Sequence, residues 1–280
     1  MNKSKLLKII IAIAALVVLV IGGYVYKDAI QSRIAWTAAV VSGQEIKPLL
    51  DSEGRYIRQI VAQDNSTSRT IMWQSDSSEA NAVIEYRLEG SENIQSIGAT
   101  DKAFTDDGST TYIHEGTLTG LTPSTKYEYR VGYGTDRRSD WYSLETAGSS
   151  VYDVLIYPDS QSEDYSGWEQ LVKDSAHRNP RTALYISMGD LVDNGEQDYQ
   201  WRTWLNSIRP LSANVPLAPT LGNHEMYTLD WKMREPRAYL NYFDVPPNGN
   251  ETFNRRYYSY DFGDVHYVVL DTMLYESNHE

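Results

Sequence analysis

The chain has no cysteine among its 280 residues, which removes disulfides, thiolate nucleophiles and cysteine-based zinc sites and leaves His, Asp, Asn and Gln as possible metal ligands. Cationic charge is scarce too, with 25 Lys and Arg against 38 Asp and Glu and a formal net charge of −13. So acidic a chain repels phosphate backbones and anionic lipid headgroups, so no nucleic-acid-binding surface is expected. An anionic substrate must be drawn in locally, and bound cations would do it. The length suggests about two domains beyond any targeting segment, enough for one of them to bury a full core.

Only one long apolar run occurs, Ile9 to Tyr26, preceded by Lys3, Lys5 and Lys8 and closed by Lys27-Asp28. At about 1.5 Å per residue it is just long enough to cross a thin hydrocarbon core. The basic flank stays in the cytoplasm, which places the rest of the chain outside. Residues 1–28 therefore read as a signal anchor, a transmembrane helix that makes the membrane a partner. A cleaved signal peptide, with Gly22 and Gly23 near its cleavage site, is the alternative and would make the protein secreted. Residues 29–51 mix Ser, Gly and charge without a firm period and read as a linker.

Over residues 52–148 short alternating segments rich in Tyr, Val, Ile and Thr are separated by Gly, Asp, Asn and Ser clusters, the pattern of an antiparallel sandwich. Strands are expected at Tyr56–Ala62, Arg69–Gln74, Ala82–Arg87, Thr111–Leu118, Lys126–Tyr133 and Trp141–Thr146, with Trp73 in the core. In Lys126–Tyr133 the residues Tyr127, Tyr129 and Val131 share one face and Lys126, Glu128 and Arg130 the other. The run Leu121-Thr122-Pro123-Ser124-Thr125-Lys126-Tyr127 resembles the tyrosine corner of fibronectin type III domains. His114, mid-strand with no other ligand near it in sequence, is read as structural.

After Gly148-Ser149-Ser150 the period changes to strand, helix, strand, helix, strand, with apolar runs at Asp153–Tyr157, Ala183–Met188 and Pro216–Leu221. The first helix is expected to start with a Ser166/Glu169 capping box and to bury Trp168, Leu171, Val172 and Ala176. The second is expected to bury Trp201, Trp204, Leu205 and Ile208. Such alternation implies right-handed crossovers, a largely parallel sheet and a ligand site beyond the strand carboxyl ends. Asp159-Ser160-Gln161, Gly189-Asp190-Leu191-Val192-Asp193-Asn194-Gly195 and Gly222-Asn223-His224-Glu225 all fall there. Singly, each is explained by turn and capping chemistry; as an ordered set at successive strand ends they point to a site.

The set resembles the calcineurin-like metallophosphoesterases and, with a fibronectin-like sandwich in front, their purple acid phosphatase branch. The stretch from Tyr257 to Thr272 is similar to the strand pair that follows the Asn-His motif there. The resemblance implies an α/β metallophosphoesterase domain over residues 151–280, and a metal-dependent hydrolase acting on small phosphate esters through water activated by two divalent or trivalent ions, of iron, manganese, zinc or a similar metal. It implies Asp190 as the carboxylate shared by both metals, Asp159 and Asn223 as ligands of one each, and His224 as the general acid. Gln161, where the wider family has histidine, is either a weak ligand or a hydrogen-bonding support. Asp193, where purple members carry a tyrosine, speaks against an iron–tyrosinate centre and is left as a supporting residue. The family's later histidine motifs have no counterpart before Glu280: His177 reads as solvated, His266 lies within a strand and His279 fits no ligand pattern. The domain therefore reads as its N-terminal half, inactive by itself. The alternative is a non-catalytic, membrane-anchored surface module that binds a partner through the sandwich.

Overall fold

Alternation along the chain sets the first domain. In a computed structural model, which describes residues 54–148, 151–162 and 164–273, nine strands run through it in order: β1 (Arg55–Ile60), β2 (Arg69–Ser75), β3 (Ala82–Leu88), β4 (Gln95–Gly98), β5 (Lys102–Asp106), β6 (Ser109–Leu118), β7 (Lys126–Tyr133), β8 (Arg137–Arg138) and β9 (Tyr142–Glu145). The six expected strands are present. Three more, β4, β5 and β8, lie in segments too short or too solvated to alternate clearly: in β4 only Ile97 is even partly buried. The anchor and linker expectations, and His279, fall outside the described residues. No helix among the described residues is long and apolar enough to cross a membrane.

Strands β1, β2, β6 and β5 form one antiparallel face, and β4, β3, β7 and β8 the other, with β9 also paired to β7. Between them sit Trp73, Ile71, Ile84, Tyr129 and Val131, all fully buried. The Tyr127 hydroxyl accepts from the Thr122 N–H at 3.0 Å, so the tyrosine corner ties the turn that its sequence suggested.

The second domain starts at β10 (Asp153–Tyr157) and continues through α1 (Ser166–Arg178), β11 (Thr182–Ser187), α2 (Asp198–Ser212), β12 (Leu217–Pro219), a 3-10 turn (His224–Met226), α3 (Arg237–Tyr242), β13 (Tyr258–Phe262) and β14 (Val265–Val269). Strands β10, β11 and β12 are parallel, and β13 pairs antiparallel with β14. Helix α2 buries Trp201, Trp204, Leu205 and Ile208 as its spacing predicts. Helix α1 departs from expectation twice. Leu171 is 52% exposed, because the buried stripe follows the i,i+4 row through Trp168 and Val172 and leaves the i+3 position at its edge. There is also no Ser166/Glu169 capping box. Ser166 is already helical, and the Asp164 carboxylate instead accepts its N–H at 3.0 Å and its hydroxyl at 2.7 Å.

The two domains share a sheet. Strand β1 pairs in parallel with β12 through Ile60 and Leu217, giving the order β10-β11-β12-β1-β2-β6-β5. Fully buried polar groups lock this seam. The Arg58 guanidinium donates to the Tyr242 carbonyl at 2.7 and 2.9 Å. The Gln59 amide and the Tyr129 hydroxyl both donate to the Ala213 carbonyl, at 3.0 and 2.7 Å.

His114 lies in the sandwich interior, stacked on Trp73 with centroids 5.1 Å apart. Nδ1 faces the Thr100 carbonyl at 3.2 Å and so carries the hydrogen, while Nε2 meets the Ser75 hydroxyl at 2.8 Å. Burial lowers its pKa, against the pull of Asp101, the Thr100 carbonyl and Glu79. A histidine held below its unfolded value of about 6.5 contributes fully above that pH and loses its contribution as pH falls through it. Urea unfolding of wild type and His114→Phe checks this: between about pH 7.5 and about pH 5.5 the stability difference should move in favour of the variant. A difference independent of pH would contradict the assignment.

Candidate active site

The three motifs leave the carboxyl ends of β10, β11 and β12, and their backbones are bonded to one another. Ser160 and Gln161 donate their N–H groups to the Asp190 carbonyl at 2.9 and 3.0 Å, which lays the first loop on the second. Asp159 and Asp190 both take positive φ, 33° and 49°, a region that aspartate tolerates better than most residues and that clusters at functional sites. The third loop comes so close that a Cβ on Gly222 would lie 2.2 Å from Asp190 Oδ1. Only glycine fits there.

Glu225 lies where the second and third loops meet and is fully buried. Its Oε2 accepts from Gly222 N at 2.7 Å and Asp190 N at 3.0 Å. Its Oε1 accepts from Leu191 N at 2.7 Å and Val192 N at 3.4 Å. Burial pushes its pKa up to about 7, reinforced by the Asp190 charge. The N–H donors pull the other way, because they fill carboxylate lone pairs and offer nothing to a protonated hydroxyl. Glu225 stands within the Gly222-Asn223-His224-Glu225 motif, but its residue type there points to no role. Its partners are backbone amides, which leave no mark in sequence.

His224 is fixed at three points. Its N–H donates to Asp190 Oδ1 at 3.1 Å. Its Nδ1 donates to the Asp193 carbonyl at 2.7 Å and lies 3.5 Å from the Asp193 carboxylate. This tautomer frees Nε2. The ring stands edge-on to Tyr227 and Trp231, with centroids 5.4 and 6.4 Å away. Asn223 donates its amide nitrogen to the Tyr227 hydroxyl at 3.3 Å, which turns its carbonyl oxygen the opposite way. Helix α2 props the second loop, where Gln200 Oε1 accepts from the Asp193 and Asn194 N–H groups at 2.6 and 3.1 Å. It props the first through Trp204, whose indole donates to Ser160 Oγ at 2.8 Å.

The expected site residues Asp159, Gln161, Asp190, Asp193, Asn223 and His224 therefore lie on three loops tied by hydrogen bonds. The remaining described histidines lie elsewhere. His114 is in the sandwich core, His177 is exposed on α1, and His266 is exposed on β14, 2.6 Å from the Asp261 carboxylate. Among the described residues, no group of three or more His, Asp or Glu is placed to hold a metal. The available donors are two carboxylates and two amides, which fit part of the shell of hard, oxygen-seeking ions. One observation favours the fit: Gln161 Oε1 is buried without a hydrogen-bond partner, an acceptor that burial leaves costly unless a ligand satisfies it.

The purple acid phosphatase N-terminal domain model matches residues 56–146, and the calcineurin-like phosphoesterase model matches residues 139–277. The chain is similar to the calcineurin-like phosphoesterases and, within them, to the purple acid phosphatases. Purple acid phosphatase 15 of Arabidopsis thaliana is 27% identical over 198 residues, covering 58% of this chain and 35% of that protein. The probable inactive purple acid phosphatase 1 of the same plant is 28% identical over 136 residues, covering 41% of this chain and 22% of that one. A purple acid phosphatase from yellow lupin (Lupinus luteus) seeds shares the fold, with a TM-score of 0.65 at 22% identity over 77% of this chain and 44% of its own. The chain spans about a third of the length of the curated relatives it matches first.

Within this purple acid phosphatase framework, Glu225 is the brace between two loops. Glu225→Gln replaces one acceptor oxygen with an N–H₂ facing backbone donors, and should cost about 2 kcal/mol or more. Urea unfolding at neutral pH measures this; a loss below about 0.5 kcal/mol, the scale of an ordinary surface change, would contradict the bracing role.

Proposed function

We propose that the protein hydrolyses small phosphate esters with the help of two metal ions. The convergence of three strand-end loops, with Asp190 accepting from the His224 backbone, carries this reading. The family shown by the comparisons supports hydrolysis of phosphoric esters and a two-metal site. In this reading Asp159, Asp190 and Asn223 hold the ions, with Gln161 as a fourth donor, and further donors complete the shell. Bound ions would supply positive charge against the phosphoryl oxygens and a water of lowered pKa. Oxygen donors select weakly among iron, manganese, zinc and similar metals, so any of these ions suits the donor set.

His224 supplies the proton. With Nδ1–H held by the Asp193 carbonyl, the ring is oriented so that Nε2 is the atom that delivers the proton. Protonating the leaving oxygen matters most for alkyl esters, whose alkoxides leave poorly. Asp193, at the position where purple members carry an iron-binding tyrosine, serves His224 in this account. The basic-then-apolar order of the N-terminus supports an extracytoplasmic location behind a membrane anchor.

A second reading is a non-catalytic surface module. The lack of a three-member His/Asp/Glu metal cluster among the described residues favours it, as does the likeness to a probable inactive relative. Metal content and ester hydrolysis, measured on the longest natural form of the protein, separate the two. Asp190→Ala should abolish metal uptake and activity together. His224→Ala should keep the metal and slow alkyl esters by about 10²- to 10⁴-fold, with a smaller effect on esters of good leaving groups. Full activity in Asp190→Ala, or metal loss in His224→Ala, would overturn these roles.

A further inference from the structure

The segment after His224 is a short hairpin. Tyr227 bridges Met233, Arg234 N donates to Met226 O at 2.8 Å, and Thr228 N donates to Lys232 O at 2.8 Å. This leaves Leu229, Asp230 and Trp231 as a three-residue loop, in which Trp231 N donates to Thr228 O at 2.9 Å. In such a loop a type I turn is followed by a left-handed residue, usually glycine. Here that residue is Trp231, with φ 60°.

A bulky side chain at positive φ costs free energy that folding does not require, since glycine would serve. The side chain is not consumed by packing either, being 37% exposed. Strain of this kind persists only where the surroundings impose it and concentrates at functional sites. The surroundings here are specific. Asn194 Nδ2 donates to Thr228 O at 2.5 Å, Leu229 N donates to Glu196 Oε2 at 2.7 Å, and Glu196 N donates to Tyr227 O at 3.1 Å. From the sandwich, Asp106 at the end of β5 clamps the hairpin through a two-pronged pair with Arg234, one arm at 2.9 Å, and Arg234 also lies 3.6 Å from Glu196.

The hairpin holds two rings beside His224. Tyr227 and Trp231 are 5.6 Å apart, and each stands edge-on to the imidazole. If His224 protonates the leaving oxygen, the group attached to that oxygen must lie against these rings. We infer that Tyr227 and Trp231 form the leaving-group subsite and select phosphate esters whose leaving group is an aromatic ring bonded directly to the ester oxygen. A planar ring gains stacking that an alkyl group of similar size does not. The inference rests on the phosphoester reading above.

The test uses unreactive analogues on the metal-loaded, longest natural form of the protein, with calorimetric binding of inorganic phosphate, cyclohexylmethylphosphonate and benzylphosphonate, whose methylene stands where the ester oxygen would be. Wild type should bind benzylphosphonate about tenfold more tightly than cyclohexylmethylphosphonate, within the range that aromatic stacking supplies. Trp231→Gly relieves the left-handed strain, so it should fold at least as well as wild type while the ratio falls below about threefold. Trp231→Asn, which also tolerates the left-handed region, should do the same. Equal affinities in wild type, or a ratio preserved in both variants, would overturn the subsite and leave the phosphoester reading standing. Failure of all three ligands to bind wild type would overturn both.

Discussion

A single buried carboxylate holds the site together. Glu225 sits fully out of water, where an anion survives only if its lone pairs are filled. Backbone N–H groups of Gly222, Asp190, Leu191 and Val192 fill them. The same bonds fix two loops that come from different strands. From Asp190 the order spreads outward, its carbonyl taking the first loop through Ser160 and Gln161 and its side chain taking the His224 backbone. Three sequence motifs thus become one hydrogen-bonded unit, and the closeness of Gly222 to Asp190 follows from it.

The sandwich takes part in this arrangement. Its β1 strand extends the parallel sheet, and Arg58 on that strand grips the last carbonyl of α3. From the end of β5, Asp106 holds Arg234 and with it the hairpin that carries Tyr227 and Trp231. The domain that bears none of the proposed metal donors therefore helps to set the wall beside His224. Rigid placement of this kind supports a site better than a free loop does.

How much of this was readable in sequence follows from the range of each interaction. Alternation marks the strand Lys126–Tyr133, and the apolar runs before Asp159, Asp190 and Asn223 mark where the motifs lie, because both signals are local. The solvated strand Gln95–Gly98 has no alternation to show. Leu171 is exposed against its spacing because spacing alone does not say where a helix's buried stripe ends. The union of the two sheets through Ile60 and Leu217 joins residues far apart in the chain. Glu225 and Trp231 stood in plain view among the motif residues, but the role of one depends on backbone donors and that of the other on a backbone angle. Neither is a property of residue type.

Amide hydrogen exchange at Asp190, Leu191 and Gly222 tests the central claim most directly, since it reports the donors that Glu225 is said to hold. With Glu225 holding them, these loop amides exchange as slowly as those of β11. Exchange as fast as that of the three-residue loop at Leu229–Trp231 would mean that the carboxylate does not hold the loops, and the site would have to be built on some other constraint.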